Sequence, residues 1–125
     1  MRWISKRALL LLHDESLAQH GGASGIRDEG LLESALARPE NLAAYGTPDR
    51  AELAASYAFG LAKNRPFIDG NKRAALLASG LFLALNGQRL VVGQSEATQT
   101  VLDLAAGEIT EEAFAHWLRA HLQPR

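Results

Sequence analysis

The chain has 125 residues, a formal net charge of -1, 47% hydrophobic and 22% charged residues, and no cysteine. One domain with a core of its own is the expectation at this length. Disulfides, thiol catalysis and cysteine-ligated metal are excluded, and with no basic run there is no nucleic-acid footprint. Leu9 to Leu12 is a short apolar run that meets His13, Asp14 and Glu15 at once, so it does not read as a signal peptide. The longest apolar stretch, Ala74 to Leu85, is interrupted by Ser79 and Gly80 and is too short to span a bilayer. A cytoplasmic protein is expected, with no membrane partner.

Alanine and leucine dominate and β-branched residues are few, which favours helix. A first helix starts after Ser5 as N-cap, turns Leu9, Leu12 and Leu17 inward and stops at Gly21-Gly22. A second starts after Asp28, carries Leu31, Leu32, Ala35 and Leu36, and is expected to end at Pro39. Asn41 to Tyr45 reads as a short helical turn before Gly46. Asp49 with Glu52 has capping-box spacing and opens a third helix, with Leu53, Tyr57 and Leu61 inside. It ends near Asn64, because Pro66 keeps Arg65 out of the helical region.

A fourth helix runs from about Asn71 to Asn86, is apolar nearly all round and is expected at the centre. Gly87 closes it, and Leu90-Val91-Val92 is the only strand-like piece. A fifth helix runs from Ser95 to Ala106, stopped by Gly107. A sixth opens at Thr110, with Glu111 and Glu112 in its first turn, and is expected to reach Leu122. The fold class is all-α: a helical bundle around the central helix at 71–86.

The chemistry concentrates in Arg65-Pro66-Phe67-Ile68-Asp69-Gly70-Asn71-Lys72-Arg73. A helix N-terminus presents unpaired N–H groups and the positive end of a dipole. Gly70 lets an anion approach the backbone closely. Asn71, Lys72 and Arg73 then bring donors and two cations toward one anion-sized volume. Arg73 can grip phosphate oxygens in a bidentate way, and Lys72 supplies a point charge. Asp69 is the only carboxylate of the segment. Beside phosphates its natural task is to hold Mg²⁺, which takes a carboxylate together with phosphate oxygens and water. Phe67 is the expected buried anchor of the loop. Taken bare, Asp-Gly followed by cations reads more often as a solvated turn, and the helix dipole disfavours cations there unless an anion is present. No Walker A, G-x-G-x-x-G or H-R-D motif is present.

The segment resembles the motif of the Fic/Doc family, His-x-Phe-x-Asp/Glu-Gly/Ala-Asn-x-Arg. Lys72, where typical Fic transferases have glycine, is similar to the Doc (death-on-curing) branch. The resemblance runs through most of the chain: Met1-Arg2-Trp3-Ile4-Ser5, His13-Asp14, Gly21-Gly22, Arg27-Asp28, Gly30-Leu31-Leu32, Gly60-Leu61-Ala62-Lys63-Asn64, Asn86-Gly87 and Ala106-Gly107-Glu108-Ile109. It implies a Fic-type helical fold and a toxin of a toxin–antitoxin module. The implied activity is transfer of the γ-phosphate of ATP to a threonine of translation elongation factor Tu, which stops translation. By position, Asp69 would bind Mg²⁺, Gly70, Asn71, Lys72 and Arg73 would hold the nucleotide phosphates, and Phe67 would support the loop. The cofactors implied are ATP and Mg²⁺.

The family places its general-base histidine at position 65, where this chain has arginine. A guanidinium, with a pKa above about 12, accepts no proton at neutral pH, whereas imidazole titrates near it. General-base catalysis is worth roughly 10²–10⁴-fold, so the arginine form should lose at least that much activity. The replacement fits a detoxified variant, a natural member that binds without catalysing, or a phosphate clamp in altered chemistry. In each case Arg65 is expected to pair with Asp69 or an anion.

Other residues carry less. His13, His20, His116 and His121 lack metal-ligand spacing and read as surface or capping residues. Trp3 and Trp117 read as packing residues, and Glu108, Glu111 and Glu112 as a solvated helix start. The inhibitory Ser/Thr-x-x-x-Glu-Gly/Asn pattern of many Fic proteins is absent, because Gly25 and Leu36 stand at the Ser/Thr positions. Inhibition is therefore expected from a separate antitoxin whose segment folds as a helix into an apolar groove. The alternatives to the kinase are an AMP transferase, which moves the other end of ATP, and a non-catalytic module that only binds nucleotide or antitoxin.

Overall fold

Short polar side chains set where most helices begin. Ser5 accepts from the Ala8 N–H, Asp28 from Leu31, Asp49 from Glu52 and Thr110 from Ala113. Each satisfies a donor that has no partner within its own helix. Asp49 and Glu52 form a reciprocal capping box. The computed structural model describes residues 1–125. In chain order the elements are α1 (Lys6–His20), α2 (Glu29–Tyr45), α3 (Arg50–Asn64), α4 (Asn71–Leu85), β1 (Gln88–Leu90), α5 (Gln94–Ala106), α6 (Glu111–Ala120) and β2 (Leu122–Pro124).

The all-α bundle is the observed architecture. α4 packs on α3, α5 and α1, and α3 also meets α2 and α6. Of this central pair α3 is buried the more deeply, with ten residues out of solvent against six in α4. Ser79 of α4 donates to the Ala54 carbonyl of α3 at 3.3 Å. Gly60 lets α3 approach α2 closely: a Cβ there would stand 3.2 Å from the Ala35 backbone. The buried Tyr57 hydroxyl accepts from Ile4 N–H at 3.0 Å. The Asn86 side chain exchanges hydrogen bonds with the Arg2 backbone, both at 2.9 Å. These contacts seat the N-terminal residues against the central pair.

Two expectations about element ends are corrected. Pro39 does not end the second helix; α2 continues through it to Tyr45. An interior proline removes a backbone bond and strains the turn before it, at a cost of roughly 3 kcal/mol. Here the ring is fully buried. Its neighbour Arg38 is held by Glu111 at 3.0 Å and by the Ser56 carbonyl at 3.1 Å. Tertiary packing offsets the local defect.

The last helix ends at Ala120, not Leu122. The chain then turns back, and β2 pairs antiparallel with β1 in the register Leu90 to Leu122. The strand accordingly covers Gln88–Leu90 rather than Leu90 to Val92. Arg125 N–H closes the ribbon on the Gly87 carbonyl at 3.0 Å.

Candidate phosphate-binding site

The site forms where the chain leaves α3 and enters α4. Gly70 is the N-cap of α4 in the left-handed region, at φ 77°, and no side chain caps the helix. The first helical bond runs from Ala74 N–H to the Gly70 carbonyl. The N–H groups of Asn71, Lys72 and Arg73 therefore lack intrahelical acceptors. Beside this turn lies a cleft of about 400 Å³. Arg65, Asp69, Gly70, Asn71, Lys72 and Arg73 line it on the loop and α4 side, and Leu102, Ala105 and Ala106 of α5 close the other. The residues singled out in the sequence thus meet around one cavity, with Phe67 beneath them.

Several bonds hold the loop. The Asn71 side chain accepts from Phe67 N–H at 2.9 Å and donates to the Phe67 carbonyl at 3.0 Å. Its amide is committed to the loop, and what it can turn toward an anion is its backbone N–H. Phe67 is buried. Its backbone bridges Ile26, and Ile68 N–H donates to the Gly25 carbonyl at 3.1 Å. The segment after α1 is thereby laid along the loop as a short antiparallel rung.

Asp69 accepts from Gly70 N–H at 2.8 Å and from Ala23 N–H at 3.4 Å. The expected pairing of Arg65 with Asp69 is not formed, since Arg65 enters no ion pair. The carboxylate is held by backbone donors of its own loop and of the glycine-rich turn after α1. Arg65 caps α3 in the left-handed region, with φ 49° and ψ 57°; Pro66 after it excludes the right-handed helical region but does not itself call for a positive φ.

Two histidines read from sequence as surface residues belong to this region. His13 is 2% exposed and stacks on Phe67, with ring centroids 3.7 Å apart and planes 16° from parallel. Neither of its ring nitrogens has a hydrogen-bond partner. Burial lowers its pKa, against the opposing pull of Asp14 and Asp69, so the ring is held neutral. A Cβ on Gly70 would come within 3.1 Å of its Cε1. The sequence signal was available: with Leu9 and Ser16, His13 completes a buried face at helical spacing. His20 remains exposed, but its Nε2 lies 3.2 Å from an Arg73 nitrogen. Arg27, named in the resemblance but given no role, donates to the Arg65 and Asn64 carbonyls, both at 2.7 Å.

The donor set suits phosphate: three cations, uncapped helical N–H groups and a single carboxylate at its edge. No cluster of three or more His, Cys, Asp or Glu side chains exists that could hold a metal by itself. A divalent ion would fit at Asp69 only in company with phosphate oxygens, which is how Mg²⁺ commonly binds beside nucleotides. No helix is long and apolar enough to cross a membrane.

The uncapped start of α4 thus faces a cationic cleft inside a small helical bundle. The sequence profile of the Fic/DOC family matches residues 3–83, and the chain belongs to that family. It is 36% identical over 120 residues to the protein kinase Doc of Escherichia phage P1, covering 95% of this chain and 94% of that one. It is 42% identical over 73 residues to the toxin Doc of Mycolicibacterium smegmatis, covering 56% of this chain and 55% of that one.

Proposed function

We propose that this chain is a Doc-type toxin whose cleft holds the phosphates of ATP. With histidine at position 65 it transfers the γ-phosphate to a threonine hydroxyl of elongation factor Tu; with arginine it binds nucleotide and transfers little. The observation that carries this reading is the convergence of Arg65, Lys72, Arg73 and the uncapped α4 turn on one cleft. The name of the phage relative, a protein kinase, favours γ-phosphate transfer over AMP transfer.

Each residue has a role that follows from its place. The α4 N–H groups and the Gly70 turn receive a phosphate, since a helix N-terminus favours negative charge. Arg73 and Lys72 neutralise charge on the phosphoryl group as its bond to the leaving phosphate lengthens, and phosphoryl transfer needs mainly such positioning and neutralisation. Asp69 is the residue that would hold Mg²⁺ with those phosphates, and the ion would add further neutralisation. A neutral imidazole at position 65 would take the hydroxyl proton as the oxygen attacks the γ-phosphorus and ADP departs. The guanidinium of Arg65 has no lone pair for that proton, so the step fails while phosphate affinity is kept. An antitoxin from the same module is the proposed inhibitor, docking as a helical segment. The chain acts in the cytoplasm, where translation takes place.

Two measurements test the reading. Titration calorimetry with ATP and Mg²⁺ should show binding that Arg73→Ala weakens at least about tenfold, or ~1.4 kcal/mol; unchanged affinity would remove Arg73 from the site. Induced expression of the Arg65→His form in bacteria should arrest growth where the arginine form does not. A harmless revertant would point instead to a module that only binds.

A further inference from the structure

Arg65 is the one non-glycine residue with positive φ, at 49°. The left-handed region is disfavoured for a side-chain-bearing residue and persists where its surroundings fix it. Those surroundings are specific. Arg65 N–H donates to the Leu61 carbonyl at 3.2 Å, and Pro66 follows in sequence. The Arg65 carbonyl accepts from Arg27 Nε at 2.7 Å, and the preceding Asn64 carbonyl accepts from Arg27 Nη2 at 2.7 Å. The backbone N–H groups of Arg27 and Asp28 both reach the Pro66 carbonyl, at 2.7 and 3.1 Å.

Three successive carbonyls, at 64, 65 and 66, are thus held from one place in the segment before α2. Arg27 makes no ion pair with any carboxylate. Its charge is directed at the C-terminal end of α3, where the helix dipole is negative and charge-assisted bonds are strong. The residue so clamped is the one whose side chain opens onto the phosphate cleft.

We propose that Arg27 is the positioning residue for the side chain at position 65: its guanidinium fixes the peptide units on either side of that residue and thereby aims the side chain into the cleft. The effect on catalysis rests on the kinase reading above; the effect on the loop backbone does not. A planar fork is needed to reach two carbonyls at once, so lysine should not replace it.

The test uses the full chain with Arg27→Ala and Arg27→Lys, each made with Arg65 and with Arg65→His. In the Arg65 background, amide hydrogen exchange is read at Arg65, Phe67 and Ile68 against Tyr57 and Ala58 in the interior of α3. Exchange at the first three should rise about tenfold or more while the interior amides hold, the pattern of a local opening. Unchanged exchange, or an equal rise at the α3 interior, overturns the proposal whatever the activity shows. In the Arg65→His background, kcat for phosphate transfer should fall about tenfold or more with the KM for ATP within twofold, as loss of alignment predicts. Arg27→Lys should fall with Arg27→Ala. Full activity, or a change carried by KM alone, contradicts the assignment. If Arg65→His by itself transfers nothing, the kinase reading fails, and the exchange result alone decides the role of Arg27.

Discussion

The Asn71 side chain and His13 show how the site depends on groups that need touch no substrate. Asn71 closes a ring of two hydrogen bonds with the Phe67 backbone, which fixes the loop to the helix it introduces. His13 lies below, packed against the Phe67 ring. A buried imidazole with both nitrogens unpartnered is stable only when neutral, because burial disfavours its charged form. Its folded pKa is lowered from a value near 6.5 by that burial, and the facing carboxylates are Asp14 on its own helix and Asp69 on the loop. The unfolded chain therefore binds the proton first as pH falls. Stability should be level above the unfolded value and decline below it until the folded pKa is reached. Thermal melts from pH 7.5 down to 5 should show this fall, and His13→Leu should flatten much of it; an equally steep fall in the variant would contradict the account. Asp49 does not confuse that window. Its pKa is depressed by the hydrogen bond from Arg119, so its contribution is lost only as pH drops through the depressed value, below the ordinary carboxylate range.

At the scale of elements, the helix starts were legible because their signals are local. Ser5, Asp28, Asp49 with Glu52, and Thr110 each act on a backbone group no more than three residues away. The misread ends depend on distant partners. α2 passes Pro39 because the ring is buried and Arg38 is tied to Glu111, far along the chain. β2 exists because β1 offers it an edge, and no pattern in Leu122–Pro124 announces that. The packing of α2 on α3 turns on Gly60, where a Cβ would meet Arg38 Cδ at 3.1 Å and the Ala35 Cα and Cβ at 3.2 Å. A branched side chain there must force the helices apart. Gly60→Val should destabilise the chain by ~1–3 kcal/mol in urea unfolding, the usual cost of overpacking; an unchanged midpoint would show that α2 and α3 have slack at this crossing.

At the scale of the molecule, one cluster of 23 buried residues draws on all six helices, so loop, α4 and cleft rest on a single core. The candidate site was legible because its residues are contiguous: Arg65 to Arg73 carries the carboxylate, the turn and the cations that line the cleft. What supports that segment comes from α1 and from the stretch before α2. His13, His20 and Arg27 acquire their meaning only when the fold brings them to it. In the proposed kinase reading activity turns on Arg65, which lines the cleft and cannot take a proton. The most direct measurement compares the chain with its Arg65→His form, using purified elongation factor Tu, Mg²⁺ and ATP labelled at either the α- or the γ-phosphate. The account predicts label transfer from the γ-position only, at least about 10²-fold faster with histidine than with arginine. Transfer of the α-label, or no transfer by the histidine form, would contradict it.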